Sequence, residues 1–321
     1  MTDPSSTHAP TPLPTRVALP DAPTLWRMTR PAFLTATVVA VAIGLASAHA
    51  SGVRLSPLLA LATLLLAVLA HAAANVLNDY ADAVNGADAA NTGGIAPFTG
   101  GAGLIARGEV DAAQTRRFAL ALLGACALGG IALALWLRMP AVWAIGGVGL
   151  GLGWAYSMPP LRLMTRQLGE ATVAAAWWLV AIGADLVQRG HIDLLPIAAA
   201  AGYALLVADL LLVNGLPDAD GDARAGKRTL AVALGPRGAA RLYAAIALLA
   251  HAAVVAGVAL DALPATALWS LATLPLALFA AREVARHAAT PQRLRPAIVA
   301  TLATLHLHGA LMAAALFAAP R

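Results

Sequence analysis

Two residue types are almost missing from this chain of 321 residues: it has one cysteine, Cys126, and one lysine, Lys227. A lone cysteine excludes an intrachain disulfide and any metal centre built from several thiolates, so its expected role, inside an apolar run, is packing. Charge is scarce as well, at 12% of residues, and aromatics make up only 5%. Such a composition cannot cover a soluble domain. With 60% hydrophobic residues and a mean hydropathy of +0.75, the chain is expected to be an integral membrane protein. No basic groove with interleaved aromatics is present, so no nucleic-acid partner is expected despite the formal charge of +5.

Long uncharged stretches are what the sequence does contain. Seven are of a length to cross a bilayer as helices, roughly 20 residues: 31–53, 55–78, 118–137, 139–161, 242–260, 262–281 and 296–320. Two more, 169–188 and 194–213, are interrupted by Asp185 and Asp209. The expected fold is therefore all-α, a polytopic membrane bundle of about nine helices around a lipid-accessible cavity. Residues 1–23, with six prolines and no apolar periodicity, read as a disordered tail, and 24–321 as the membrane domain. With nine spans, all of the 21 cations except Arg54, Arg138, Arg189 and Arg321 fall on the side of the N-terminus. By the positive-inside rule that side is cytoplasmic, and the remaining positive charge favours anionic headgroups.

Acids are concentrated in two places on that same side. "ANVLNDYADAVNGAD" (74–88) follows the second span and "VNGLPDADGDARAGKRTL" (213–230) follows the sixth; together they hold six of the 16 acids. Asn214, Asp218 and Asp222 are spaced by four, so on a helix they line one face; Asn78 and Asp82 repeat the step, with Asn75 a turn earlier. An acidic loop at a membrane surface is usually only solvated. Two such clusters, each led by asparagine at the end of an apolar helix, instead point to hard-cation sites. Magnesium commonly uses one or two carboxylates plus substrate phosphates, and two clusters imply two ions. A calcium loop of the EF-hand type is excluded, because Thr229 stands where the terminal glutamate should be.

Arg224, Lys227 and Arg228 follow the second cluster directly. Acids for metal beside cations for anionic oxygens describe a diphosphate site, and an apolar surround calls for a hydrocarbon tail, so polyprenyl diphosphate fits both halves. A cation-coupled transporter is the alternative from another class, but transporter sites lie near the bilayer midplane on broken helices, whereas these acids gather at one face. Asp185, Asp209 and His71 are polar groups within apolar spans; Asp209 and His71 are candidates to face the same cavity, the alternatives being an acid near enough to the interface to reach water and a hydrogen-bonded structural histidine.

"NVLNDYADAVNGAD" and "NGLPDADGDARAGKRTLAVALG" resemble the two aspartate-rich motifs of the UbiA-type intramembrane aromatic prenyltransferases, and "AYSMPPLRL" (155–163) resembles a third segment of that family. The first motif is most similar to that of the 1,4-dihydroxy-2-naphthoate polyprenyltransferases of menaquinone synthesis. The resemblance implies magnesium-dependent transfer of a polyprenyl group to an aromatic acceptor, with loss of carbon dioxide for a naphthoate; 4-hydroxybenzoate is another acceptor of the family. It implies metal coordination by Asn78, Asp82, Asn214, Asp218 and Asp222, with Asn75, Asp79 and Asp88 as near neighbours. Tyr156 would stabilise the allylic cation or hold the diphosphate, and Arg162, Lys227 and Arg228 would bind its oxygens. A bacterial inner membrane is the implied location.

Overall fold

The computed structural model describes residues 19–319. The first part of the expected tail, residues 1–18, lies outside them, and its last residues already enter a helix, α1 (Ala22–Met28), capped by Asp21. The remaining helices are α2 (Pro31–Ala50), α3 (Pro57–Asn85), α4 (Ala87–Ala90), α5 (Ala112–Leu137), α6 (Pro140–Ser157), α7 (Gly169–Arg189), α8 (Leu194–Arg224), α9 (Leu230–Ala259), α10 (Leu274–His287) and α11 (Arg295–Phe317). A 3-10 stretch, Ala265–Thr273, leads straight into α10. Among the described residues the one β element is an isolated bridge between Arg166 and Arg228.

Eight helical segments are long and apolar enough to cross a membrane, one of them formed jointly by the 3-10 stretch and α10. The sequence reading counted nine. The ninth expected span, 139–161, is α6, an 18-residue helix with five glycines that is not among those eight. Prolines set many starts: Pro31, Pro57 and Pro140 each occupy the first helical position, where the missing N–H is not needed.

α8 is the centre of the bundle. It packs against α9, α7, α2 and α11, while α3 packs against α5, α2 and α6 on the other flank. Tyr203, Leu206, Leu212 and Val213 of α8 are wholly buried, whereas Leu58, Leu61 and Leu65 of α3 face outward, as a lipid-facing stripe requires. Between helices in lipid, close van der Waals contact replaces the hydrophobic drive. A methyl group added at Gly44 of α2 would collide with the Ala181 carbonyl of α7, and one at Gly309 of α11 with Val39 and Tyr203. The small residues are therefore fixed by backbone approach.

The intramembrane acids are handled differently from each other. Asp185 forms a buried ion pair with Arg189 one turn on, at 2.7 Å, and Arg189 also donates to the Ser47 carbonyl at 3.2 Å. This ties α7 to α2 on the face opposite the acid motifs. Asp209 is buried with neither carboxyl oxygen hydrogen-bonded. It does not line the cavities described below, contrary to the expectation that it faces them, because its register turns it away while Leu210 and Leu211 face in.

A polar mouth above an apolar interior

α3 and α8 both run past the expected ends of their apolar spans and carry the acid motifs on continuous helix. α3 ends at Gly86, whose positive φ of 81° lets the chain reverse into α4. In α8, Pro217 sits between Asn214 and Asp218 and removes one backbone N–H from the helix. Asn78 and Asp82 from α3, Asp88 from α4, and Asn214, Asp218 and Asp222 from α8 all line one cavity of about 130 Å³. The two four-residue ladders thus face each other across a single mouth.

One cation spans it. Lys227 Nζ lies 2.6 Å from Asp82 Oδ1 and 3.0 Å from Asp222 Oδ1, with its side chain only 6% exposed. Asp218 is held by the 91–100 loop: Asn91 Nδ2 donates to Oδ1 at 2.6 Å and the Gly100 N–H to Oδ2 at 3.1 Å. Asn78 Nδ2 donates to Asp82 Oδ2 at 3.3 Å and contacts Met164 Sδ at 3.1 Å. Burial, then the neighbouring carboxylates of Asp82 and Asp79, pushes the Asp88 carboxyl up to about 7.

Asp79 stands behind the mouth. One helical step from Asn78, it accepts the Ala102 N–H at 3.1 Å and lies 3.9 Å from Arg30 Nη1. It holds the 100–102 loop and Arg30 in place, while Asp82 faces the cavity. Asn75 donates to the Thr29 carbonyl at 2.9 Å and lines a deeper chamber instead of the mouth. Arg162 and Arg228, expected to bind diphosphate, are exposed and line neither space. The Arg228 N–H is spent on the Thr165 carbonyl, which locks the 163–166 turn to the end of the second motif.

Arg30 takes the place they were given. It precedes α2 in a left-handed conformation, φ 56°, lines both mouth and chamber, and lies over the Phe33 ring at 4.9 Å. Sequence reasoning used it only as a topology cation. An arginine immediately before a proline-started span was the signal available. Asn91 and Glu170 also line the mouth and were not anticipated.

Below the mouth is a chamber of about 160 Å³ that shares Arg30, Asn78, Tyr156, Leu211 and Asn214 with it and adds His71 and Trp177. Next comes an almost wholly apolar cavity of about 320 Å³ among α3, α5, α6 and α7, lined by Leu66, Ile131, Trp143 and Val180 among others. Ala176 belongs to the walls of both. The order from the motif face inward is oxygen donors, then aromatics with hydrogen-bonding groups, then hydrocarbon.

The donors suit magnesium. They are carboxylate and amide oxygens, and Asn214 Oδ1 is buried in the wall without a hydrogen-bond partner. Among the described residues no three His, Cys, Asp or Glu side chains close a site by themselves, and an open, oxygen-lined arrangement is the one in which magnesium keeps water and phosphate as its other ligands. An ammonium already lies between two carboxylates across the mouth, where positive charge is accommodated.

An all-helical membrane protein with an acidic mouth over a hydrocarbon-lined interior is the architecture of an enzyme acting on an amphiphile with an anionic head. Residues 36–305 match the UbiA prenyltransferase family, to which the chain belongs, and it is a prenyltransferase. It is 31% identical over 236 residues to the 1,4-dihydroxy-2-naphthoate octaprenyltransferase of Bacillus subtilis (strain 168), covering 72% of each chain. It is 33% identical over 226 residues to the protein of that name from Mycobacterium tuberculosis (strain ATCC 25618 / H37Rv), covering 70% of this chain and 74% of the relative. The fold is also that of a UbiA homolog from Archaeoglobus fulgidus bound to GPP and Mg2+, with a TM-score of 0.60 at 15% identity over 90% of this chain and 99% of that one.

Proposed function

We propose that the protein transfers a polyprenyl group from polyprenyl diphosphate to 1,4-dihydroxy-2-naphthoate, with decarboxylation, as a step of menaquinone synthesis. The observation that carries this is the pairing of Asn78 and Asp82 with Asn214, Asp218 and Asp222 across one mouth, directly above a chamber and an apolar cavity. Relatives about 30% identical over some 70% of the chain bear the naphthoate name, which supports that acceptor. The GPP and Mg2+ bound to the Archaeoglobus homolog support the donor class and the metal.

In this reading Asp82, Asp218 and Asp222, with Asn78 and Asn214, would hold two magnesium ions, with Asp88 as a near neighbour in the same wall. Bound magnesium would neutralise charge on the leaving diphosphate and so ease rupture of the allylic C–O bond. Arg30 and Lys227 lie in the same wall and offer N–H donors to the diphosphate oxygens. Tyr156, which lines both mouth and chamber, lies at the level where the prenyl C1 would sit and presents its ring to the developing cation. The apolar cavity takes the tail and keeps water away from the cation. The acceptor ring carbon then forms the new C–C bond, and loss of its carboxylate as carbon dioxide restores aromaticity.

The reading also places the protein in a bacterial inner membrane with its N-terminus and mouth toward the cytoplasm. The cation distribution supports the orientation, and the bacterial relatives support the membrane. The test is an acceptor panel on isolated membranes with one labelled donor and magnesium: 1,4-dihydroxy-2-naphthoate, 4-hydroxybenzoate, homogentisate and a chlorophyllide. Turnover with the naphthoate is expected. Turnover confined to another member would replace the acceptor while leaving prenyl transfer in place.

A further inference from the structure

His71 lies seven residues before Asn78 on α3, two turns further into the membrane on the same face. It therefore points into the chamber under the mouth, where it meets Trp177 of α7 edge to face, ring centroids 4.7 Å apart at 83°. Its Nδ1 is 2.8 Å from Thr37 Oγ1 of α2, and Thr37 is itself buried. A neutral imidazole has one hydrogen-bonding site on each nitrogen. Thr37 occupies one of them and leaves Nε2 for the chamber. Trp177 Nε1, on the facing wall, is buried without any hydrogen-bond partner. An indole N–H left unpaired away from water is costly.

We propose that His71 and Trp177 form the recognition site for the acceptor's ring oxygens. Trp177 Nε1–H donates to one hydroxyl or carboxylate oxygen, and His71 Nε2 pairs with another. The fitting ligand is a flat, hydroxylated aromatic, because the chamber combines ring faces with a few hydrogen-bonding groups and shares Tyr156 with the mouth. Bound there, the ring lies directly beneath the diphosphate, on the inner side of Tyr156. Thr37 is a positioning residue, since its hydroxyl fixes which nitrogen of His71 is free. The proposal rests on the prenyl-transfer reading and deepens it by naming the groups that choose the acceptor.

The test compares His71→Leu, His71→Gln and Trp177→Phe with wild type, each purified and shown to melt as wild type does. KM is measured separately for acceptor and donor, using whichever panel acceptor wild type turns over best. Diphosphate release without acceptor is measured alongside. His71→Leu and Trp177→Phe are expected to raise acceptor KM at least tenfold, leaving donor KM and acceptor-independent diphosphate release near wild type. His71→Gln, which keeps a donor and an acceptor at similar reach, should recover most of the loss. Unchanged acceptor KM, or equal changes in both KM values, overturns the proposal while leaving the enzyme reading intact. If wild type turns over 4-hydroxybenzoate and not the naphthoate, the naphthoate reading fails and the same KM comparison still decides on His71. If wild type turns over none of the panel and calorimetry finds no acceptor bound, both fall.

Discussion

Lys227 Nζ sits 2.6 Å from Asp82 Oδ1, so the chain's one lysine joins the helix of the first acid motif to the turn that follows the second. It also touches Asp222 at 3.0 Å, which makes it the counter-charge for both sides of the mouth. Removing one member of a buried pair leaves the other charge uncompensated. Lys227→Ala should therefore melt at a lower temperature without magnesium and recover more on its addition than wild type does. Its apparent KM for prenyl diphosphate should rise, and less so in Lys227→Arg, which keeps the charge. Unchanged donor KM in Lys227→Ala would remove Lys227 from the diphosphate site.

Asp82→Ala and Asp218→Ala should each lower kcat by roughly a thousandfold or more, because metal-assisted charge neutralisation contributes several kcal/mol to the transition state. Both proteins should still fold in the membrane. Wild-type turnover in either variant at saturating magnesium would mean that the motifs are only solvated helix ends.

Arg30 and the two arginines expected from sequence make a direct contrast. Arg30 lines the mouth, whereas Arg162 and Arg228 are exposed outside it. Arg30→Ala should raise donor KM about tenfold, the scale of a lost charged hydrogen bond. Arg162→Ala and Arg228→Ala should change it by less than about twofold. The reverse order would restore the assignment made from sequence.

Asp88 predicts a pH dependence. Burial first, then Asp82 and Asp79, raise its carboxyl to about 7 in the folded protein, so the folded state favours the proton more than the unfolded chain does. That stabilisation is complete at acid pH below the ordinary carboxylate range and is lost as pH rises through about 7. Metal binding needs the ionised form. Apparent magnesium affinity should accordingly climb between pH 6 and pH 8, and the climb should flatten in Asp88→Asn. An equal slope in that variant would assign the titration elsewhere.

Gly44→Ala tests the packing of α2 on α7. The added methyl meets the Ala181 carbonyl, and overpacking of this kind costs about 1–3 kcal/mol. A lowered melting temperature in detergent is expected, with KM values little changed in the protein that remains folded. An unchanged melting temperature would show that the helices separate there at no cost.

The sequence alone determined the class of structure and which polar residues of each motif share a helix face. Hydrocarbon admits only groups that satisfy their own backbone, so long uncharged runs had to become helices, and a four-residue spacing places Asn78 with Asp82, and Asn214 with Asp218 and Asp222, on single faces. Tertiary structure decided which neighbours share the site, because that depends on rotation about each helix and on where loops fold back. Asp79, one residue from Asn78, turns behind the mouth to hold the 100–102 loop. Arg30, 48 residues before Asn78, enters it because α2 packs against α3 and Arg30 itself, just ahead of α2, adopts a left-handed conformation. Asp209, five residues before Asn214, is carried by the same helix to the opposite side of the wall. A one-residue step on a helix is 100° of rotation, and no pattern of types along the chain states which of two adjacent acids will face its partner.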